Sequence, residues 1–280
     1  MQAPPITVLT DQDAEAMPSG VDKIIGLELE ILGRQLHFRL CATNTRARLP
    51  DIVPAARTLS RMITDVVLEN VQRNGGHIPC KRGCTHCCRS IIPLAVPEML
   101  FLAESIQRMA HPRCKALQRS FLVAARRLLR KPPPAAFLTH QVSDSSERSN
   151  ELELISTWYQ SLKLDCPLNS QGICAIYRYR PLACREHFVY GAAEGCTAGS
   201  SAAEVVDIPI RMVDALVHLS ADLEENKPEA IMMPLLFVWY ERNACRARQS
   251  WPAAVVAECL AGILKTMASE YSLAATAPEG

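Results

Sequence analysis

Four cysteines lie within the nine-residue stretch CKRGCTHCC, in the spacing Cys80-x3-Cys84-x2-Cys87-Cys88. Residues three or four apart share one face of a helical turn, so Cys80, Cys84 and Cys87 can converge on a single point. Cys88 lies on the same side as Cys84 and is either a fourth ligand or a neighbouring thiol. Cysteine thiolates bind zinc and iron–sulfur clusters, so this spacing predicts a metal centre.

Positive side chains accompany these cysteines, namely Lys81, Arg82 and Arg89. Nearby cations lower the pKa of a thiol and offset the charge of bound thiolates, so they favour metal binding. The alternatives are free buried cysteines and disulfides. A disulfide between the adjacent residues Cys87 and Cys88 would be strained. A reducing cytoplasm, which we expect for this chain, also disfavours disulfides.

A second cysteine-bearing segment, CPLNSQGICAIYRYRPLACREHFVYGAAEGC, contains Cys166, Cys174, Cys184 and Cys196. Seven, nine and eleven residues separate them, and because no CxxC knuckle occurs the spacing does not match a zinc ribbon. One zinc ion uses four cysteines. The eight cysteines of the two motifs therefore predict two metal ions, or one cluster with additional structural thiols. We expect the two motifs to meet in space.

Three arginines lie among the cysteines of the second segment, at Arg178, Arg180 and Arg185. We predict that they bind a cofactor, because guanidinium groups pair with carboxylates and phosphates. Charge compensation for bound thiolates is the alternative role. Histidines also ligate zinc or iron, and the candidates beside the two motifs are His77, His86 and His187. No Ser–His–Asp pattern, phosphate-binding glycine loop or paired-carboxylate motif identifies catalytic residues.

Taken together, the two segments resemble the zinc- or iron-chelating cysteine-cluster family known as the YkgJ-like group. The likeness covers about residues 80–196. The first motif matches as CKRGCTHCC. In the second segment the matching residues are Cys166, Pro167, Leu168, Cys174, Ile176, Tyr177, Arg180, Pro181, Cys184 and Arg185.

The resemblance implies a metal centre, with an iron–sulfur cluster, [4Fe-4S], favoured over zinc. Flagellin lysine N-methylases have similar cysteine motifs, and this implies S-adenosylmethionine as a further cofactor and a protein lysine as a substrate. An enzyme on this pattern would be a methyltransferase or an oxidoreductase. The alternative is a zinc- or iron-chelating module for metal delivery, sensing or structural support without catalysis.

The spacing of Cys80, Cys84 and Cys87 also occurs in radical S-adenosylmethionine enzymes, whose three cysteines leave one iron of a four-iron cluster open. Those enzymes place the motif after the first strand of a βα barrel. This chain shows no strand pattern directly before Cys80 and no alternation of strands and helices. The radical-enzyme interpretation is therefore disfavoured.

The elements that position these motifs are predicted to be mainly α-helical. Alternating apolar and polar residues on both sides of Gly33–Arg34 predict one β-hairpin. Apolar residues at helical spacing predict helices over 51–76, 97–110, 112–130, 151–164, 201–225, 229–248 and 252–272. Between the helices we expect an irregular cysteine-rich core that binds metal.

This pattern predicts five regions along the chain. They are a flexible N-terminus (1–20), a β-hairpin region (21–50), a cysteine-cluster metal-binding domain (51–200), a C-terminal helical region packing on it (201–272) and a flexible tail (273–280). The Pro- and Ser-rich stretch 131–150 is predicted to be a loop. The isolated cysteines are expected to be buried apolar residues, namely Cys41, Cys114, Cys245 and Cys259.

The composition of the chain indicates which partners and which cellular compartment to expect. The net charge of the 280 residues is +1, which gives no reason to expect a nucleic-acid partner. No apolar run has the length of a membrane span, and the N-terminus shows no signal-peptide pattern, so we expect no membrane association and a reducing cytoplasm. Twelve cysteines in such a compartment indicate metal binding or redox work. The oligomeric state is left open.

Overall fold

The computed structural model describes residues 4–10, 17–81, 83–131, 133, 154–193 and 204–276. Within these ranges the chain is mainly α-helical with a small antiparallel sheet near its N-terminus, as the sequence predicts. Cys196 and the loop predicted over 131–150, apart from residues 131 and 133, lie outside the described residues.

The sheet has three strands in the order β1-β3-β2, all antiparallel. They are β1 (Ile6–Thr10), β2 (Val21–Ile31) and β3 (Arg34–Thr43). Leu32 and Gly33 connect β2 to β3, and both have positive φ, 51° and 76°. This is the requirement of a tight two-residue hairpin turn. The predicted hairpin is confirmed, with its turn one residue earlier than Gly33–Arg34.

Strand β1 corrects the expectation that residues 1–20 are a flexible segment. Ile6 and Val8 are buried, and Ile6 is paired with Ala42 of β3. A five-residue strand contains too few residues to show a clear alternation. Its stability comes from pairing with a strand about thirty residues further along the chain, which local pattern reading does not reveal.

The chain up to residue 161 contains four helices that the sequence predicts. They begin near the expected residues, and Pro lies in the first turn of α1, α2 and α3. In chain order the elements are β4 (Arg46–Ala47), α1 (Val53–Arg73), β5 (Pro93–Ala95), α2 (Val96–Gln107), α3 (His111–Leu129) and α4 (154–161).

The second half departs further from prediction. The elements in chain order are β6 (Asn169–Ser170), β7 (Ile173–Cys174), α5 (Leu182–Arg185), α6 (Met212–Glu224), β8 (Ala230–Met232), α7 (Leu236–Asn243), β9 (Trp251–Pro252) and α8 (Ala253–Thr276). The helix predicted over 201–225 begins only at Met212, because Val205 forms a β-bridge with Val189. The helix predicted over 229–248 is interrupted by β8 and by a 3₁₀ turn containing Pro234, whose ring excludes a regular helix interior. Helix α8 is confirmed.

Two large apolar clusters organise these elements. The first combines the sheet with α1, α6 and α8. The second combines α2, α3 and α7, and in it the Phe121 and Phe237 rings meet edge to face with centroids 5.4 Å apart. Because α8 packs on β2 and β3 while α6 and α7 contact α2, the hairpin and the C-terminal helices do not form separate cores.

Within the described part of the chain, no helix is both long enough and apolar enough to span a membrane.

Candidate metal centre

The first cysteine motif follows α1 through an irregular turn. Gly83 has φ +91°, a conformation that residues with a Cβ rarely adopt. The Cys84 amide donates to the Lys81 carbonyl at 3.0 Å, and a short 3₁₀ helix spans His86–Arg89. The predicted helical turn therefore includes only Cys87 and Cys88, and Cys80 and Cys84 are positioned by non-helical backbone.

Gly76 lets the chain leave α1 close to the second segment. Its amide donates to the Val71 carbonyl at 2.9 Å, and a Cβ at this position would lie 2.6 Å from the Val71 side chain. The next residue, His77, accepts a hydrogen bond from the Gly191 amide at 2.9 Å. A glycine is thus required where the first motif is joined to residues just after the second.

The second motif is a chain of tight turns anchored by apolar residues. Strands β6 and β7 are joined by Gln171 and Gly172, both with positive φ. The Ala175 amide donates to the Leu168 carbonyl at 2.8 Å. Leu168 and Ile176 are buried in the second apolar cluster. These contacts hold Cys174 at the edge of that cluster.

Helix α5 positions Cys184 in a similar way. It begins after Pro181, and Leu182 in its first turn is fully buried. The Cys184 amide donates to the Pro181 carbonyl at 3.0 Å. The prolines and leucines of this segment thus provide the frame, and the cysteines lie between them.

The two motifs meet directly. The Cys166 amide donates to the Cys88 carbonyl at 2.8 Å, and the Cys88 thiol hydrogen-bonds with the Cys166 thiol. The Cys80 thiol hydrogen-bonds with the backbone of Val189. Electrostatic interactions link seven of the eight predicted ligands to at least one other cysteine of the set, namely Cys80, Cys84, Cys87, Cys88, Cys166, Cys174 and Cys184.

Four thiols in this cluster favour the protonated form when no cation is bound, namely Cys87, Cys88, Cys174 and Cys184. Hydrogen bonding with Cys166 and burial raise the pKa of Cys88 to about 12. Hydrogen bonding with Cys88, followed by burial, raises the pKa of Cys87. Burial also raises the pKa of Cys174 and of Cys184. A metal that binds here must displace these protons.

Arg180 faces the cluster and offsets part of this effect. Its charge lowers the pKa of Cys80, Cys87 and Cys174, against the larger contribution of burial. The guanidinium also packs over the Tyr177 ring, 4.8 Å from its centroid. Arg180 is therefore positioned to compensate the charge of bound thiolates, which is the alternative to cofactor binding for this residue.

The other cations are placed differently. Arg185 donates from Nε to the Arg180 carbonyl at 3.0 Å and from Nη2 to the Arg178 carbonyl. Its guanidinium therefore braces the backbone of the second motif. Arg89 forms an exposed ion pair with Asp165 at 3.2 Å, and Arg82 lies outside the described residues.

Two buried carboxyl groups flank Cys184. Glu98 of α2 accepts a hydrogen bond from the Leu182 amide at 2.9 Å, so it caps the first turn of α5. Glu186 accepts from the Ser60 hydroxyl at 2.6 Å and from the Met212 amide at 3.1 Å. Burial raises the pKa of each carboxyl to about 7.

Glu98 also has a cationic neighbour. The charge of Arg57 favours the ionised form of Glu98, and burial lowers the pKa of Arg57 to about 10. Arg57 donates to the Tyr179 carbonyl at 2.8 Å and lies over the Phe101 ring, 4.6 Å from its centroid. Sequence reasoning missed these polar residues beneath the second motif. In the sequence, Glu98 resembles an ordinary acidic residue in the first turn of a helix.

A surface cavity of about 600 Å³ opens beside Cys174. It is bordered by the end of α2, the start of α3 and the 3₁₀ turn Tyr177–Tyr179. Of the three arginines predicted to bind a cofactor, Arg178 lines this cavity. Arg180 faces the thiols and Arg185 faces the backbone.

The remaining candidates differ in their surroundings, and His86 lines a small surface pocket together with Cys88. Burial and the charge of Arg211 lower the pKa of His187, and no cysteine contributes. Cys41 is buried as expected, but the expectation is wrong for Cys245, which is exposed. Cys259 is half-buried, with its sulfur 3.9 Å from Asp222 Oδ2.

A thiolate-bound metal needs free cysteines that lie close together. Every cysteine in the described part of the chain is free. As their side chains are placed, no three His, Cys, Asp or Glu residues in that part are grouped closely enough to hold an ion. The donor chemistry nevertheless fits, because the neighbouring thiols are free, partly buried and faced by a cation.

The chain matches no protein-family model, and comparison with curated proteins and with solved structures gives no significant match. The resemblance in the cysteine motifs therefore stays a prediction.

Proposed function

We propose that this protein binds a metal between its two cysteine motifs, and that the metal is an iron–sulfur cluster, [4Fe-4S]. The observation that carries this proposal is the junction of Cys88 with Cys166, through both backbone and thiol groups. Free thiols that converge from sequence positions nearly eighty residues apart, with Arg180 facing them, are typical of a thiolate-bound cofactor.

The number of thiols favours a cluster over a single zinc ion. One zinc uses four cysteines, whereas electrostatic interactions link seven cysteines here. The ligands would come from Cys80, Cys84, Cys87 and Cys88 together with some of Cys166, Cys174, Cys184 and Cys196. When bound, such a cluster supplies electron transfer, or a Lewis-acidic iron where one iron lacks a protein ligand. The buried neutral thiols must release their protons to the solvent on loading.

The cavity beside Cys174 supports a catalytic role. Space next to a metal ligand admits a second molecule, as an enzyme requires. The activity that the motif resemblance favours is S-adenosylmethionine-dependent methylation of a protein lysine in the cytoplasm, and an oxidoreductase is the other catalytic possibility. In either case Arg178, which lines the cavity, would bind a carboxylate of the cofactor.

A non-catalytic chelating module is the second candidate, and the exposure of Cys80 favours it. A ligand that solvent can reach exchanges more readily than a buried ligand. Such a protein would deliver or sense zinc or iron. It would retain the same cysteines but would need no second ligand in the cavity.

Anaerobic purification followed by metal analysis and an absorption spectrum tests the proposal. We expect iron and sulfide with a visible charge-transfer band. Cys88→Ala and Cys166→Ala should each remove most of the metal. Cys114→Ala is the matched control, because Cys114 and Cys166 are both half-buried against the second apolar cluster. Colourless protein with stoichiometric zinc would refute the cluster, and equal metal loss in all three variants would refute the ligand assignment.

A further inference from the structure

The cavity beside Cys174 has a strongly positive wall. Three arginines line it, Arg108, Arg113 and Arg178, and no carboxylate does so among the described residues. The surplus charge is unusual in a chain whose net charge is only +1. Guanidinium groups gathered at a concave surface favour an anionic ligand.

Internal ion pairs neutralise only part of this charge. Arg108 pairs with Glu104, but Glu104 also pairs with Arg48 at 3.1 Å, so one carboxylate serves two guanidinium groups. Arg113 donates from Nη2 to the Ala175 carbonyl, which uses one of its five N–H groups and fixes the guanidinium at the cavity wall. Donors on both side chains therefore stay available to a ligand.

Arg178 is the freest of the three cations. Its backbone carbonyl is held by Arg185, whereas its exposed guanidinium forms no ion pair with any described residue. Arg178 follows Tyr177 in the 3₁₀ turn. The backbone of this turn is fixed by a hydrogen bond that the Tyr179 amide donates to the Ile176 carbonyl at 2.6 Å. A rigid backbone with a free guanidinium is a suitable arrangement for capturing a diffusing anion.

An aromatic surface lies next to these charges. Tyr179 lines the cavity and 54% of the residue is exposed, although its carbonyl is held by Arg57. Tyr177 also lines the cavity, with Arg180 over its ring. A phenol ring that is open to solvent stacks on planar ligand groups. The cavity volume of about 600 Å³ lies within the range of small-molecule sites.

We propose that this cavity binds a small organic anion, a planar ring bearing a phosphate or a carboxylate, and places it beside Cys174. The anionic group contacts Arg113 and Arg178, and the ring packs on Tyr179. Binding itself needs no metal. Only the position of the ligand beside a metal centre rests on the proposed function.

Calorimetry with two matched pairs of probes tests the charge requirement. Adenosine 5′-monophosphate is compared with adenosine, and phenylacetate with phenylacetamide. The anionic member of at least one pair should bind about 10-fold more tightly than its neutral partner, and more weakly as salt is added. The pair that responds distinguishes a phosphate from a carboxylate. Equal binding of both members in both pairs, or no binding of either anion, would overturn the proposal.

Two variants test the residues. Arg178→Ala should weaken anion binding about 10-fold without affecting folding, because its guanidinium has no ion pair to lose. Arg113→Ala should have a similar effect. Arg34→Ala is the control, since it removes an exposed arginine of the hairpin, which pairs with Glu69 of α1. Unchanged affinity in Arg178→Ala would overturn the assignment.

The same samples separate this inference from the proposed function. If the protein contains an iron–sulfur cluster, the bound anion should also shift the absorption spectrum of the cluster, because Cys174 lines the cavity. Anion binding without any iron or zinc refutes the proposed function and leaves the binding site standing. Metal-loaded protein that binds neither anion refutes the binding site alone.

Discussion

Glu98→Gln is expected to make the protein more stable at alkaline pH, although it alters a buried hydrogen-bonding group. Glu98 is 2% exposed, and its Oε1 accepts a hydrogen bond from the Leu182 amide at 2.9 Å. Its other oxygen has no hydrogen-bond partner among the described residues. Burial raises the pKa of this carboxyl to about 7, against the ordinary value of 4.5.

The size of the effect follows from that pKa difference. Each pKa unit corresponds to about 1.4 kcal/mol between protonation states, so ionising Glu98 costs the folded protein about 3 kcal/mol. The unfolded chain releases the proton first, so stability falls as the pH rises from about 4.5 to about 7. Above about pH 7 the folded protein bears the full cost of ionising Glu98, and below about pH 4.5 it bears none of it.

Glutamine reproduces the protonated carboxyl, because it keeps an oxygen for the Leu182 amide and does not titrate. Urea unfolding of samples with matched metal content should therefore show similar stabilities at about pH 4.5. At about pH 8 the variant should be more stable than the wild type by about 3 kcal/mol.

Asp165→Asn is the control for this measurement. It removes an acid from an exposed ion pair with Arg89, and surface pairs contribute at most about 1 kcal/mol. A Glu98→Gln protein that is less stable than the wild type at alkaline pH would refute the reasoning. It would mean that Glu98 is ionised at little cost and that Arg57 depends on its charge.

Two further changes test the frame around the cysteines. Gly83→Ala should reduce metal loading and cost about 1 kcal/mol, because φ is +91° there, whereas Gly20→Ala, with φ +76° outside the centre, should leave loading unchanged. Metal analysis checks this, and equal loading in both variants would contradict it. Phe121→Ala should cost about 3 to 5 kcal/mol in thermal unfolding, because Phe121 is 1% exposed and packs on Phe237. Leu129→Ala, at an exposed position of the same helix, should change stability by less than about 0.5 kcal/mol, and a similar loss in both would count against the packing argument.

The parts of the fold that sequence reasoning predicts are those with strong local signals. Helix α1 has apolar residues at helical spacing over 21 residues, and the hairpin has alternation on both sides of Gly33. Strand β1 and strand β8 are too short to carry such a signal. Both exist because a distant strand pairs with them, so the interaction that decides their structure is not local.

The candidate site divides in the same way. Cysteines are recognisable by residue type and spacing, so the sequence alone predicts the seven cysteines that the structure describes in the two motifs. The buried carboxyl groups could not, because Glu98 and Leu182 are 84 residues apart in sequence. In sequence, Glu98 follows Pro97 as a favourable first-turn acid of α2, yet its carboxyl caps α5.

The two buried glutamates are best explained by the segment between them. Glu98 fixes the first turn of α5 and Glu186 follows directly after its end, so together they fix the backbone on both sides of Cys184. Each leaves one carboxyl oxygen without a hydrogen bond among the described residues, and each has a raised pKa, so both reduce stability at neutral pH. An unpaired oxygen and a raised pKa both reduce stability, so a role in positioning the backbone around Cys184 best explains why these carboxyl groups are buried. The ligand role proposed for Cys184 needs a backbone fixed within a fraction of an ångström. Helix α5 has only four residues and cannot provide that rigidity alone, whereas hydrogen bonds to α1, α2 and α6 can.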